Sequence, residues 1–112
     1  MTNTEALIEK LRRDLFSEAS RKQDVAEAEI VLEAKKAEIA IAARADGQKH
    51  TEAQIQEIVQ NSEIIYKMKL QFARYQYQYD LAKIEAMLQW KLLEHCLKAE
   101  EPHRTSFEDL FS

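Results

Sequence analysis

The chain has 112 residues and a formal net charge of −4, and it contains one glycine, one proline and one cysteine. So few turn residues exclude β-sandwiches, β-barrels and glycine-rich phosphate loops. No apolar run is long enough to cross a membrane, and a lone cysteine cannot form an internal disulfide. The composition therefore predicts an all-α, non-enzymatic protein of one domain, which we expect to be cytoplasmic.

A long first helix is predicted at about residues 4–45, with Thr4 as its N-cap and Gly47 just beyond its C-terminus. Roughly 40 helical residues would extend for about 60 Å. Apolar residues recur at helical spacing in two stripes. The first stripe comprises Ile8, Leu11, Leu15, Val25, Leu32 and Ile39, and the second comprises Ala19, Ala26, Ile30, Ala34, Ala37 and Ile41.

A short helix is predicted at residues 52–60, because Thr51 and Gln54 have the spacing of a capping box. Asn61 and Ser62 provide a break after this helix. A third helix is predicted at residues 63–99, with Pro102 beyond its end.

The third helix also carries two apolar stripes. One comprises Ile65, Met68, Phe72, Tyr75, Tyr79 and Ala82, and the other comprises Tyr77, Leu81, Ile84, Leu88 and Leu92. A helix that is apolar on two sides needs cover on two sides, which one partner helix cannot provide. We therefore expect a homo-oligomer, packed through Phe72, Tyr75, Tyr77, Tyr79, Leu81, Ile84, Leu88 and Trp90.

The predicted fold is an antiparallel, coiled-coil-like hairpin of two long helices with a short bridging helix. Residues 1–99 would form the helical oligomerisation domain. Residues 100–112 would form a flexible, acidic and hydrophobic tail. Within that tail, Phe107, Leu110 and Phe111 have the spacing of a short helical face that docks in a partner's groove. Alternatively, this segment packs on its own oligomer.

Charge is unevenly distributed along the chain. Residues 64–93 contain five basic and two acidic residues, a local net charge of +3, together with several aromatic side chains. Cations interleaved with aromatic rings suit single-stranded nucleic acid, because cations meet phosphates and rings stack on bases. The alternative is a core aromatic stripe with solvated lysines. The candidate nucleic-acid-binding residues are Lys67, Lys69, Arg74, Lys83 and Lys91.

No arrangement of residues indicates catalysis. Glu94, His95 and Cys96 are consecutive in a predicted helix, so their side chains point about 100° apart and cannot converge on one metal ion. We therefore expect no catalytic residue, no metal site, no cofactor and no small-molecule substrate.

Two segments resemble phage recombination mediators of the UvsY type. They are the run LRRDLFSEAS at residues 11–20 and the run QWKLLEHC at residues 89–96, and the long–short–long helix order is also similar. The resemblance implies a ring-like oligomer that binds single-stranded DNA. It also implies that the oligomer helps a recombinase displace the single-strand-binding protein, in a phage-infected or lysogenic bacterial cell. The acidic net charge and the tail depart from that family.

The alternative function is that of a coiled-coil adaptor or inhibitor. Such a protein would act only by binding another protein, with the tail as its docking motif.

Overall fold

The computed structural model describes residues 2–99, and these residues form three helices without a strand. Helix α1 comprises Asn3–Arg44, α2 comprises Glu52–Gln60 and α3 comprises Glu63–Ala99. The predicted all-α class with two long helices is confirmed. No helix in the described part of the chain is both long enough and apolar enough to span a bilayer.

The N-terminus of α1 is capped by Thr2, so the assignment of Thr4 as the cap was wrong. The Thr2 hydroxyl oxygen accepts a hydrogen bond from the Glu5 backbone N–H at 3.1 Å. The Glu5 carboxylate in turn accepts from the Thr2 backbone N–H at 3.4 Å. Threonine followed three residues later by glutamate is a capping box, and this spacing makes Thr2 the better cap.

The cap of α2 has the predicted form. The Thr51 hydroxyl accepts from the Gln54 backbone N–H at 3.1 Å, and the Gln54 side-chain oxygen accepts from the Thr51 N–H at 2.8 Å. Asn61 closes the helix at its C-terminus through its backbone N–H, which donates to the carbonyls of Glu57 and Val59. The short break at residues 61–62 follows from this closure.

The connection between α1 and α2 is built around Asp46 and Gly47. Gly47 has a φ of +82°, the left-handed region that glycine adopts without a Cβ penalty. Asp46 accepts hydrogen bonds from the Gln48 backbone N–H and the His50 ring, both at 2.9 Å. These two donors hold the pKa of Asp46 below its ordinary value of 3.8. The ionised carboxylate therefore favours the folded loop above that pH, and the contribution is lost as pH falls through the lowered pKa.

Residue contacts divide the chain into two units, and α1 and α3 contribute to both. Within the described residues, unit 1 comprises 2–19 with 80–99, and unit 2 comprises 20–79. The two units have different interiors.

Unit 2 has a three-helix core. Leu32, Ala40 and Ala43 from α1 pack with Ile55 and Val59 from α2 and with Ile65 from α3. Ile65 is fully buried, with 0% of its surface exposed. The helices α1 and α3 run antiparallel here, because Leu32 lies in the same cluster as Ile65 while Arg21 donates to Gln78 at 3.1 Å.

Unit 1 has a thinner interior of two helix segments. Its buried residues are Leu11 on α1 and Ala86, Gln89 and Leu93 on α3. Two of the three buried α3 side chains are small or polar, so this pair of segments buries little apolar surface.

The structure resolves which predicted stripe is covered. The stripe that begins at Ile65 is buried or half-buried throughout, whereas Tyr77, Leu81, Ile84, Leu88 and Leu92 are all exposed. On α1 the first stripe was grouped incorrectly, because Ile8 and Leu15 are nearly half exposed, at 46% and 49%. The second α1 stripe is exposed at every position.

Replacement of Ile65 by alanine tests the core of unit 2. The removal of a fully buried aliphatic side chain leaves a cavity, and we expect a loss of about 2–5 kcal/mol in the free energy of unfolding. Urea denaturation followed by circular dichroism measures this loss. The matched control is Tyr66→Ala, at the neighbouring position but 62% exposed. The control is expected to change the free energy of unfolding by less than about 0.5 kcal/mol.

Candidate functional site

Helix α3 carries all five candidate nucleic-acid-binding residues, and they differ in their surroundings. Lys67, Arg74, Lys83 and Lys91 are exposed, whereas Lys69 is half-buried. The Lys69 ammonium donates to the Gln60 side-chain oxygen at 3.0 Å and so ties α3 to α2. Lys69 is therefore engaged in the fold of unit 2, and the four exposed cations are the better placed to meet a phosphate.

The five cations do not form one continuous row. At about 100° per residue, Lys67 and Arg74 lie seven residues apart on one side of α3, while Lys69 lies on nearly the opposite side. In unit 1, Lys83 and Lys91 are roughly 80° apart by the same measure. Because Lys67 and Arg74 share a side, unit 2 contains the one pair of candidates that is arranged for a common ligand.

Two further residues extend this pair into a row. Lys67, Leu70, Arg74 and Tyr77 follow one another at spacings of three, four and three residues, which places them on one side of α3. Leu70 is 45% exposed and Tyr77 is 64% exposed. We call these four residues the outer row. An exposed guanidinium and an exposed phenol ring therefore lie one helical turn apart.

The two cations of the outer row, Lys67 and Arg74, have few charged neighbours that bind them. Lys67 forms an ion pair with Glu63 at 3.3 Å, and both side chains are more than two-thirds exposed. Exposed pairs of this kind contribute little and are readily exchanged for another anion. Arg74 has no ion pair with any residue in the range 2–99. Neither cation is therefore held by a strong ion pair.

The aromatic residues of α3 fall into two groups. Phe72, Tyr75 and Tyr79 are half-buried on the side of α3 that bears the core residue Ile65. Tyr66, Tyr77 and Trp90 are 62%, 64% and 53% exposed. Three rings are thus partly covered by their own chain, and three remain open to solvent. Tyr66 was not among the predicted site residues, although its position beside Lys67 was a usable signal.

Of the eight residues expected to pack in an oligomer, the structure leaves five exposed. These are Tyr77, Leu81, Ile84, Leu88 and Trp90. The remaining three, Phe72, Tyr75 and Tyr79, are half-buried within unit 2, so their apolar surface is already partly covered by their own chain.

A cleft of about 300 Å³ lies between α1 and α3 in unit 2. Asp24 and Glu27 line it together with Ala28, Met68 and Tyr75. Two carboxylates line this cleft, so its charge is unfavourable for a phosphate group.

Within the described residues, no group of three or more His, Cys, Asp and Glu side chains is placed to hold a metal ion. His50 bonds to Asp46 in the loop, and Cys96 is a half-buried free thiol. The tail candidates Phe107, Leu110 and Phe111 lie outside the described residues.

No protein-family model, no curated protein and no solved structure matches this chain.

Proposed function

We propose that this protein is a non-enzymatic, self-associating helical protein that binds single-stranded DNA and assists the loading of a recombinase. The outer row of α3 carries the proposal, because it combines two cations with an exposed ring at the spacing of one helical face. Cations neutralise phosphates and an aromatic ring stacks on a base, whatever the base is.

The net charge of −4 does not oppose this proposal. At physiological ionic strength, exposed charges further apart than about 8 Å are largely screened from each other. A strand on the outer row therefore experiences Lys67 and Arg74 more strongly than acidic residues that lie beyond this distance.

Self-association supports the same function by multiplying a weak site. One outer row offers two phosphate contacts, and an oligomer offers two for each subunit along one strand. Linked sites bind with much greater avidity than single ones when the ligand spans them. The exposed apolar rows of α1 and α3 are the surfaces on which such assembly would depend. The proposal that a recombinase and a single-strand-binding protein are partners of this chain rests on its resemblance to UvsY-type proteins.

The second candidate function is that of a coiled-coil adaptor or inhibitor. It is favoured by Leu81, Ile84, Leu88 and Leu92 on the part of α3 in unit 1, which are 45–55% exposed at helical spacing. An exposed apolar row of this kind is what a partner helix covers. DNA affinity separates the two functions, since an adaptor needs none.

Charge reversal at the outer row tests DNA binding. In the double variant Lys67→Glu and Arg74→Glu, we expect the affinity for a labelled single-stranded oligonucleotide to fall by roughly tenfold or more at low salt, because two phosphate contacts become repulsive. Fluorescence anisotropy titrations at several salt concentrations measure the affinity and its salt slope. Tyr77→Ala should weaken binding by about 1–3 kcal/mol and leave the salt slope unchanged, since stacking releases no counterions.

The control for the charge reversal is the double variant Lys22→Glu and Lys49→Glu. It changes the net charge by the same amount at two exposed residues on α1 and on the loop. Equal losses in both double variants would show a general charge effect and remove the outer row as the site. An absence of binding by the unaltered chain, even at low salt, would reject DNA binding and favour the adaptor.

Deletion of residues 105–112 tests the role of the tail. If the protein is a DNA-binding mediator, its oligonucleotide affinity should stay within about twofold, because the deleted segment contains two acidic residues and no basic residue. The same anisotropy titration measures this. A complete loss of DNA binding on deletion would place the DNA contact in the tail and contradict the proposed site.

A further inference from the structure

Two exposed aromatic rings lie on one side of α3 in unit 2. Tyr66 and Tyr77 are 62% and 64% exposed, and they are eleven positions apart in the sequence. Eleven residues make about three helical turns, so the two positions differ by only about 20° around the helix axis. Along the axis they are roughly 16 Å apart. Tyr66 therefore belongs to the same side of α3 as Tyr77 and the rest of the outer row.

The two cations of the outer row lie between these rings along the helix. Lys67 and Arg74 are both exposed, and they are roughly 60–100° around the axis from Tyr66 and Tyr77. A line of two rings and a line of two cations thus run side by side along α3. Proteins that bind single strands combine the same two elements, a basic track for the backbone and aromatic rings for the bases.

The surface of α3 between the two rings carries no negative charge. Leu70 and Ala73 lie there, and both are exposed. The helix has no acidic residue between Glu63 and Asp80. A strand that carries phosphates can therefore pass from one ring to the other without meeting a carboxylate of this helix.

We infer that Tyr66 and Tyr77 are two stacking platforms for the bases of one single strand, whose phosphates bind Lys67 and Arg74 between them. The inference rests on the proposed function and deepens it in two ways. It adds Tyr66 to the site, and it assigns the choice of single-stranded over double-stranded DNA to the two rings.

The rings distinguish a single strand from a duplex because they need an open base face. In a duplex, neighbouring bases cover both faces of each base, and unstacking a base costs free energy. Phosphates are exposed in both forms, so the cations bind either form. Removal of a ring should therefore weaken the binding of a single strand alone, whereas removal of the cations should weaken the binding of both forms.

The test compares Tyr66→Ala with the unaltered full chain on three labelled probes of about 20 nucleotides, longer than a typical binding site. The probes are an ordinary single strand, an abasic strand that lacks every base, and a duplex. On the ordinary strand we expect Tyr66→Ala to lose at least about fivefold in affinity, because one stacked base loses its platform. Its affinity for the other two probes should stay within about twofold. Fluorescence anisotropy at low salt measures all three affinities.

Two further variants separate stacking from other effects. Tyr66→Phe keeps the ring and should bind the ordinary strand within about twofold of the unaltered chain. The matched control is Ile64→Ala, at a side chain that is 51% exposed and lies on nearly the opposite side of α3. This control should leave all three affinities unchanged. Helicity by circular dichroism should be the same in every variant, since each replaces an exposed side chain.

The double variant Tyr66→Ala and Tyr77→Ala tests the two platforms together. These are the two exposed rings of unit 2 among its described aromatic residues. The unaltered chain should prefer the ordinary strand to the abasic strand, and the double variant should lose this preference. In contrast, Lys67→Glu with Arg74→Glu should lower the affinity for all three probes, because each probe presents phosphates.

The possible failures are distinguishable. If no probe binds the unaltered chain, the proposed function and this inference both fail. If the ordinary and abasic strands bind equally well, or if Tyr66→Ala weakens all three probes equally, the inference fails while DNA binding stands. An unchanged affinity of Tyr66→Ala for the ordinary strand removes Tyr66 from the site. A loss in Tyr66→Phe as large as that in Tyr66→Ala contradicts stacking, because the phenylalanine ring is retained.

Discussion

A helix covers its neighbour on one side only, and most of this structure follows from that constraint. The antiparallel partner of α3 accounts for the stripe that includes Ile65 and Met68, and no other described helix covers Leu81, Ile84 or Leu88. Additional apolar residues in two long helices therefore have to meet solvent or another molecule. Because the hydrophobic effect scales with the apolar area removed from water, any association that covered this surface would gain free energy from it.

The two units meet this constraint differently. In unit 2, α2 supplies Ile55 and Val59, and a third helix turns the pair into a core in which Ile65 is fully buried. Unit 1 lacks an equivalent third element among its described residues. Its interior contains Ala86 and Gln89, whose amide nitrogen has no hydrogen-bond partner among the described residues, and neither contributes much apolar burial. A buried polar side chain is tolerated where it specifies register or partner rather than stability. Unit 1 is thus the part of the chain whose described interior contributes less apolar burial.

The sequence predicted the helices well because their boundaries depend on local chemistry. The reciprocal bonds of Thr51 and Gln54 need only four neighbouring residues, and a capping box is recognisable from spacing alone. The N-terminus of α1 was misplaced by two residues, since Thr2 and Thr4 are both good caps and only Thr2 has glutamate three residues later. The covered stripe could not be predicted reliably, because it depends on which side of a helix meets a distant partner. Leu11 and Leu15 share a periodic pattern, yet one is buried and the other is half exposed.

The candidate nucleic-acid site was also only partly predictable from the sequence, because it too depends on which side of a helix each residue occupies. Five basic residues in one segment looked like a single patch, but the turn of the helix separates Lys67 and Arg74 from Lys69. Sequence proximity is a poor measure of proximity on a helix, since neighbours in sequence point about 100° apart. Only a small row of candidate residues remains. For one subunit it implies a weak dependence of affinity on salt: the log of the affinity falls by roughly 0.7 per tenfold rise in salt concentration for each phosphate neutralised. A steeper slope requires rows from several subunits on one strand. The slope of affinity against salt would therefore test DNA binding and self-association together, because it would report how many copies contact one strand.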